Sequence, residues 1–425
     1  MPAPDAFRHW RIASIWLRGR QLPDGVHDPQ FLPLAQRIAG GPLHAVSSTD
    51  ILTDGANAFA RMLQAINAAR DEVLLETYIL RDDRIGQAVQ TALIDAAVRG
   101  VRVYVLADAL GSFSTRERFW DGLTAAGVTV RHFHPLWRNL RDSYRRDHRK
   151  LLLIDRAVAF TGGMNIGEEY GSSLTHHPDA WRDSFIVLDG SIVQELAAVF
   201  AEGWDRAGGP DLPGLEYVSW DRGIIRRRGR VRRRRSVQQP VASDGALVLA
   251  PRPGRGQGAM ARTLALLAGA ARERLWITTP YFAPPWRALR MLGAAAARGV
   301  DVRLLLPGPR TDVPIVRHAA HGAYGALMRR GVQIFEYQRA TLHAKTLVVD
   351  GQVSLIGSSN LDFRSLWLNA ECNVLLVNTA CAARLEAIFL QDSEHSEAIT
   401  PSTWRERTRS HQLLDWSARQ LRWMW

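Results

Sequence analysis

Lysine is nearly absent from this chain. Only Lys150 and Lys345 occur among its 54 lysine and arginine residues, so 52 of these are arginine. Cysteine is equally scarce: Cys372 and Cys381 are the only two, which excludes a disulfide framework and suits a reducing compartment. No uncharged run approaches the roughly 18 apolar residues of a spanning helix. The N-terminus lacks the apolar core of a secretory signal. The 425 residues are 46% hydrophobic and 23% charged, which fits a folded globular protein.

Positive charge is concentrated in one segment. The net charge is +12, and the stretch from Arg222 to Arg235 holds nine arginines and no acidic residue, so the rest of the chain carries only +3. Such a patch attracts a polyanion, either anionic lipid or nucleic acid. A solvated linker in an arginine-biased chain is the alternative interpretation.

Each lysine stands two residues after a histidine, in His148-Arg149-Lys150 and His343-Ala344-Lys345. A chain that uses arginine elsewhere and lysine here indicates a site for a compact ammonium group rather than a planar guanidinium. The two motifs continue with the same residue types at the same offsets, 195 residues apart. The matched positions are Asp155 with Asp350, Gly162 with Gly357, Gly163 with Ser358, and Asn165 with Asn360.

The surroundings of the motifs also repeat. The stretch AARDEVLLETYIL at 68–80 parallels AARERLWITTPYF at 270–282, and AAVRGVRVYVLAD at 96–108 parallels AAARGVDVRLLLP at 295–307. The alternation of helix and strand patterns predicts an α/β fold with a substantially parallel sheet in each half. Two similar halves with one motif each predict a pseudo-twofold arrangement in which both motifs meet at one cleft.

The chain divides into five predicted parts. Residues 41–210 and 245–398 form the two halves, and residues 211–244 form an arginine-rich linker that we expect to be an exposed loop. Residues 1–40 are an N-terminal segment with basic residues and tryptophans at amphipathic spacing. Residues 399–425 are an amphipathic, tryptophan-rich tail. Tryptophan beside arginine suits a membrane interface, and a helix docked on the protein's own core is the alternative for both ends.

Two histidines and two lysines around one pocket suit a phosphodiester substrate. The ammonium groups offset charge on the non-bridging oxygens, and the amides of Asn165 and Asn360 add hydrogen bonds. One imidazole can attack phosphorus while the other protonates the leaving oxygen. No metal or other cofactor is expected, because the lysines supply the positive charge. Paired histidines can also bind a metal, but neighbouring ammonium groups disfavour a cation.

The motif resembles that of the phospholipase D superfamily, whose signature is HxKxxxxD followed by a glycine-rich turn and an asparagine. Both copies are complete, and the resemblance covers residues 50–395. The segment GSSNLDFRSLWLNAE at 357–371 is most similar to bacterial cardiolipin synthases, and RRDHRKLLLIDRAVAFTGGMNIG resembles their B form. The resemblance implies a duplicated phospholipase D-like fold. Such a fold has two mixed, largely parallel sheets flanked by helices, related by a pseudo-twofold axis with one shared active site.

The resemblance also implies roles for individual residues. His148 is the expected nucleophile and His343 the general acid and base, and the pseudo-symmetry leaves the reverse assignment open. The expected catalytic motif comprises His148, Lys150, Asp155, His343, Lys345 and Asp350, and the expected phosphate ligands are Lys150, Asn165, Lys345 and Asn360. Because Asp155 and Asp350 lie five residues beyond each lysine, on the opposite strand face, we interpret them as structural partners. Asp183 and Glu371 are expected to orient the histidines; ordinary surface or strand-end acids are the alternative.

The implied activity is transfer of a phosphatidyl group between two phosphatidylglycerol molecules, with release of glycerol through a phosphohistidine. The expected partners are phosphatidylglycerol and other anionic phospholipids, with a membrane surface held by Arg222 to Arg235 and by the tryptophan-rich ends. The expected location is the cytoplasmic face of a bacterial cell membrane, as a peripheral protein. Hydrolysis of phospholipid or of nucleic acid is the rival activity, because water competes for the same intermediate. A nuclease is disfavoured, since no aromatic residues interleave the arginine run for base stacking. A catalytically inactive scaffold for membranes or polyanions is a third reading.

Overall fold

Each half of the chain forms one mixed β-sheet flanked by helices. The computed structural model describes residues 22–134, 144–171, 179–215, 217–219, 224–227, 230–233, 244–251 and 258–420. The first half contains β1 (Thr49–Leu52), α2 (Gly55–Ala68), β2 (Glu72–Thr77), α3 (Arg84–Val98), β3 (Arg102–Asp108), α4 (Glu117–Ala125), β4 (Thr129–Phe133), β5 (Leu151–Ile154), β6 (Val158–Gly162), β7 (Phe185–Asp189) and α5 (Ile192–Arg206), preceded by α1 (Phe31–Ala39).

The second half repeats this succession. It contains β11 (Gly245–Leu249), α6 (Ala259–Ala270), β12 (Arg274–Thr278), α7 (Trp286–Ala297), β13 (Asp301–Pro307), α8 (Pro314–Met328), β14 (Gln333–Tyr337), β15 (Thr346–Val349), β16 (Val353–Gly357), α9 (Phe363–Trp367), β17 (Asn373–Val377), α10 (Thr379–Glu394) and β18 (Ser396–Ile399). The helices α11 (Pro401–Arg405) and α12 (Arg409–Gln420) follow. Among the helices described, none is both long enough and apolar enough to cross a bilayer.

The two sheets share one strand order, which confirms the duplicated fold. The first sheet runs β1-β7-β6-β5-β2-β3-β4, and the second runs β11-β17-β16-β15-β12-β13-β14-β18. Parallel pairing joins only the helix-connected strands, β2 to β3 to β4 and β12 to β13 to β14. The other pairs are antiparallel, because the motif strands β5 and β15 turn directly into hairpins with β6 and β16. The sheets are therefore mixed as predicted, but antiparallel pairs outnumber the expected parallel ones.

The central strands are buried on both faces, which explains their nearly continuous apolar sequence. All six residues of β2 are buried, and Leu75 pairs with Leu152 on one side and Val105 on the other. One core cluster contains residues of both sheets together with α5 and α10, so the two halves share part of their interior, while each also has a core cluster of its own. Cys372 lies in this interior, and burial raises the pKa of its thiol to about 12.

The linker and the chain ends differ in part from expectation. The linker is not loop throughout, because β8 (Tyr217–Ser219), β9 (Ile224–Arg227) and β10 (Arg230–Arg233) form a small antiparallel sheet. The predicted N-terminal amphipathic stretch at 7–18 lies outside the described residues, while α1 packs against α6 of the second half. The described part of the tail packs α12 against α8. Its last residues, 421–425, lie outside the described chain.

Candidate active site

The two motifs meet at the junction of the halves. Asp147, next to the first motif, forms a parallel bridge with Ala370 of the second half, and Arg182 of the first half bridges Leu342, next to the second motif. The N–H of His148 donates to the carbonyl of Ala370 at 2.8 Å. The corresponding bond runs from the N–H of His343 to the carbonyl of Arg182 at 2.7 Å. Each histidine is therefore held by backbone of the opposite half, as the pseudo-twofold prediction requires.

Each histidine also receives its carboxyl partner from the opposite half. Nδ1 of His148 lies 3.1 Å from Oε2 of Glu371 and 3.1 Å from the carbonyl oxygen of Ser358. Nδ1 of His343 lies 2.6 Å from Oδ2 of Asp183. Both carboxyl groups are fully buried, so they are not the surface acids of the alternative reading. With Nδ1 engaged in this way, Nε2 of His148 is the nitrogen left to react, whereas both ring nitrogens of His343 also lie near the Lys345 ammonium, at 2.6 and 3.1 Å.

The two lysines are buried beside the histidines. The Lys150 ammonium donates to the carbonyl of His148 at 2.7 Å, and the Lys345 ammonium lies 3.1 Å from Nε2 of His343. Burial lowers the pKa of Lys150 to about 7 and that of Lys345 to about 8, and the repulsion between the two ammonium groups adds to the shift at Lys150. Burying two ammonium groups that repel each other is costly. An anionic ligand between them relieves that cost.

The two histidine–carboxyl pairs differ in the direction and causes of their pKa shifts. Burial, followed by the charges of Lys150 and Lys345, holds the pKa of His148 well below its ordinary value. Burial raises the pKa of its partner Glu371 to about 8. Burial also lowers the pKa of His343, but Asp183 opposes that change. Burial alone raises the pKa of Asp183, yet Lys345 and His343 outweigh it and keep this carboxylate ionised.

The two predicted asparagine ligands are buried near the motifs. The amide of Asn165 donates to the hydroxyl of Tyr170 at 3.1 Å, and that hydroxyl lies 3.3 Å from Nδ1 of His343. Within the described part of the chain, the side-chain carbonyl oxygens of Asn165 and Asn360 find no hydrogen-bond partner. Buried polar atoms without partners are uncommon, and because these two oxygens only accept hydrogen bonds, they suit a ligand that brings a donor such as a hydroxyl group.

Several aromatic residues next to the histidines, among them Tyr78, Tyr170 and Trp181, were not predicted as site residues. Tyr78 packs edge-on against His148 with ring centroids 5.0 Å apart, and its ring lies 5.3 Å from the Lys150 ammonium. Trp181 and Tyr170 flank His343 at 5.4 and 6.0 Å. Tyr78 lies in the repeated stretch at 68–80, but the residue aligned with it in the second copy is Pro280, so the repeat does not single it out. The repeat does not include Tyr170 or Trp181.

Asp155 and Asp350 do not join the reacting groups, which corrects their place in the catalytic motif. Asp155 accepts the backbone N–H groups of Arg70, Asp71 and Glu72 at 2.8 to 3.0 Å. Asp350 accepts the equivalent N–H groups of residues 272–274 at 2.8 to 2.9 Å. Both aspartates adopt φ of +51° as the first residue of the hairpin turn. Each therefore ties its motif hairpin to the start of the neighbouring central strand, in line with the structural role read from the spacing.

The comparisons with known proteins agree with this geometry. A family model described as "Cardiolipin synthase, PLD-like domain" matches residues 62–204 and 264–393. The chain is 33% identical over 400 residues to the cardiolipin synthase of Halalkalibacterium halodurans, covering 93% of this chain and 76% of that one. It is 33% identical over 408 residues to cardiolipin synthase 1 of Bacillus anthracis, covering 94% and 78%.

A solved structure of similar fold is the phosphatidylserine synthase of Haemophilus influenzae, with a TM-score of 0.69 at 14% identity, covering 93% of this chain and all of that one. The duplicated sheets and the paired motifs define a phospholipase D-like phosphatidyltransferase. The chain belongs to the phospholipase D-like cardiolipin synthase family. The predicted family and fold class are thereby confirmed, and the likeness to the B form stays a prediction.

Proposed function

We propose that this protein transfers a phosphatidyl group from one phosphatidylglycerol to the hydroxyl of a second, which yields cardiolipin and glycerol. The observation that carries the proposal is the crossed pairing of His148 with Glu371 and His343 with Asp183, 3.1 and 2.6 Å apart, beside two buried lysines. Such a site offers two imidazoles for attack and proton transfer. Its two ammonium groups balance the negative charge of the reacting phosphodiester.

The reaction has two steps in this proposal. Nε2 of one histidine attacks phosphorus, the bond from phosphorus to the glycerol oxygen breaks, and the second histidine gives its proton to that oxygen. The second histidine then takes the proton of the incoming phosphatidylglycerol hydroxyl. That oxygen attacks phosphorus, and the phosphorus–nitrogen bond breaks. Lys150, Lys345, Asn165 and Asn360 hold the non-bridging oxygens throughout, so the charge compensation comes from lysine and no metal step is needed.

The environments of the histidines favour His148 as the nucleophile. A histidine whose pKa is held well below its ordinary value keeps the unprotonated nitrogen that attacks. His343 faces the ionised Asp183, which stabilises the imidazolium form that a proton donor needs.

A donor lipid with a nitrophenol leaving group tests this assignment. Nitrophenolate leaves without a proton, so His343→Ala should release about one equivalent of nitrophenol and then stall, with the phosphatidyl group trapped on His148. His148→Ala should release none. A burst from His148→Ala and none from His343→Ala would reverse the two roles.

Product analysis with purified protein and phosphatidylglycerol vesicles tests the proposed activity. Cardiolipin and glycerol in equal amounts support it, provided both disappear in His148→Ala and persist in His27→Ala, an exposed histidine outside the site. Phosphatidic acid without cardiolipin would make the protein a lipid hydrolase. Intact lipid together with cleaved single-stranded DNA would make it a nuclease. Normal binding to vesicles without turnover of lipid or DNA would support the hypothesis that the protein is a catalytically inactive scaffold.

The surface around the site supports contact with an anionic bilayer. Phe113, 75% exposed, lies on the loop after β3, whose Gly111 packs against Tyr78 beside His148. In the second half, Trp286 and Ile315 are exposed after the ends of β12 and β13. Apolar side chains at the rim of a phospholipid-cleaving site match a lipid surface better than water.

Exposed apolar side chains of the tail also support membrane contact. The alternative, a helix docked on the protein's own core, does not explain their exposure. Helix α12 turns Asp415 and Ala418 toward the protein, whereas Leu413 and Trp416 are 63% and 62% exposed. An amphipathic helix docked on its own core would bury its apolar residues instead. We propose that α12 and the loops at the rim contact the cytoplasmic side of a bacterial membrane, and that the arginines from Arg222 to Arg235, whose side chains lie outside the described structure, add attraction to anionic lipid.

Vesicle flotation separates the parts of this surface. Trp416→Ser and Phe113→Ser should weaken binding to vesicles of phosphatidylglycerol, while Val98→Ser should not. Val98 is 77% exposed but lies at the end of α3, ahead of β3 and so at the opposite edge of the sheet. Replacing the arginine run by glutamine should remove the salt-sensitive part of the binding. Equal effects of all these variants would contradict a localised surface.

A further inference from the structure

Two histidines and an aspartate join the last described helix to the body of the protein. His318 and His321 lie three residues apart on one face of α8, and Asp415 faces them from α12. Nδ1 of His318 is 2.8 Å from Oδ1 of Asp415, and Nδ1 of His321 is 3.2 Å from the same oxygen. All three atoms lie within 4.8 Å of one another. Among the described residues, this is the group of side chains that fits a metal ion.

We propose that His318, His321 and Asp415 bind one zinc ion, at a site separate from the catalytic histidines. Zinc binds imidazole nitrogen and carboxylate oxygen at about 2.0 to 2.2 Å. Ligand atoms in a tetrahedral site are then about 3.3 Å apart, close to the two measured nitrogen–oxygen distances. The side chains therefore need only small movements to receive the ion.

The surroundings of the three ligands are those of a metal site. Nε2 of His321 donates to Oε1 of Glu336 at 2.8 Å, which fixes the ring with Nδ1 toward the ion. A carboxylate behind a ligating histidine is the usual second partner in zinc proteins. Glu336 is itself held by the Tyr324 hydroxyl at 3.1 Å and by Arg317. The buried carboxylate is thus kept in place for His321.

The charged groups around the cluster favour a metal ion that binds nitrogen ligands. Arg407 pairs with Oδ2 of Asp415 and leaves Oδ1 facing the histidines. Since Arg407 and Arg317 neutralise the two carboxylates, the site offers little net negative charge. Calcium and magnesium depend on several oxygen ligands, whereas zinc is held by imidazole. His411 lies one turn before Asp415, its ring centroid 6.3 Å from that of His318, and water or this histidine is the fourth ligand.

The experiment uses untagged, full-length protein that is freed of metal and then titrated with zinc or cobalt(II). We expect one equivalent to bind, with the visible absorption of four-coordinate cobalt. His318→Gln and His321→Gln should lose it, while Glu336→Gln should bind about 10- to 100-fold more weakly. The matched control is His27→Gln. A second control, His148→Ala, removes a catalytic histidine and should still bind one equivalent.

Each other outcome would overturn the proposal. Absence of binding in the wild type would make the cluster a hydrogen-bonded link without metal. Binding that survives in both His318→Gln and His321→Gln would place the ion elsewhere, and binding lost in His148→Ala would place it in the active site. Because His318 is only half-buried, its variant should fold, and circular dichroism of each variant separates lost binding from lost structure. The result is independent of the phosphatidyl-transfer assay.

Discussion

Lys150→Met should make the protein more stable and inactive. The ammonium of Lys150 is buried next to a second buried ammonium, and its pKa falls from 10.5 to about 7. Each pKa unit corresponds to about 1.4 kcal/mol, so burying the protonated lysine costs the fold on the order of 5 kcal/mol. Methionine keeps most of the apolar stem and the volume. It leaves the carbonyl of His148 without its donor, which costs about 1 to 2 kcal/mol.

We therefore expect a net gain of about 3 kcal/mol in the free energy of unfolding at pH 6. The gain should depend on pH. A lysine with a lowered folded pKa costs the full amount below about pH 7, and the cost disappears as pH rises toward 10.5, where the unfolded chain also loses its proton. The gain should thus shrink steadily between pH 7 and pH 10.

Urea unfolding at pH 6 and pH 9.5 measures this prediction, with Arg329→Met as the control for loss of one exposed cation. The control should change stability by less than about 0.5 kcal/mol at either pH. A Lys150→Met protein that is less stable than the wild type, or a gain that is the same at both pH values, would refute the reasoning. The lysine would then be a structural ion-pair partner rather than a cation kept for binding an anion.

Three further predictions follow from the same geometry. The value of kcat/KM for phosphatidylglycerol should fall as pH rises through about 7 to 8, because Lys150 and Lys345 lose the protons that attract the anion; a flat profile to pH 9 would contradict this. Asp183→Asn should lower kcat by about 10²-fold or more, since His343 loses the ionised partner that stabilises its protonated form, and a nitrophenol donor should restore the first step. Asp350→Asn should cost about 1 to 2 kcal/mol of stability through its lost backbone bonds, with kcat per folded molecule unchanged; a large loss of kcat would give Asp350 a chemical role.

The sequence was most informative where a physical constraint acts on residue type. Lys150 and Lys345 stand out because arginine fills nearly every other basic position, and a buried oxyanion site needs the smaller group. The duplicated halves were visible because β2 and β12 are buried on both faces and keep continuous apolar sequences. Asp155 was placed away from the chemistry by strand periodicity alone.

Other features depend on contacts that sequence spacing does not encode. The parallel strands were overestimated because the hairpins after β5 and β15 reverse the chain where the helix–strand alternation stops. Tyr170 belongs to the core of the first half, and its hydroxyl meets His343 only because the two halves pack together. The cluster of His318, His321 and Asp415 escaped notice because its members come from two helices, and a spacing of three between histidines on one helix is common without any metal.

The duplication explains why neither half is a complete enzyme. Each histidine comes from one half, but the carboxyl group that holds its Nδ1 and the backbone carbonyl that holds its N–H come from the other. Two identical halves would place the two histidines in equivalent environments, with no reason for one to attack and the other to carry the proton. This chain has glutamate at one of the two positions and aspartate at the other, and burial keeps Glu371 largely protonated while Asp183 stays ionised. In the proposed mechanism, this difference between the two acids is what assigns the attack on phosphorus to His148 and the proton transfer to His343.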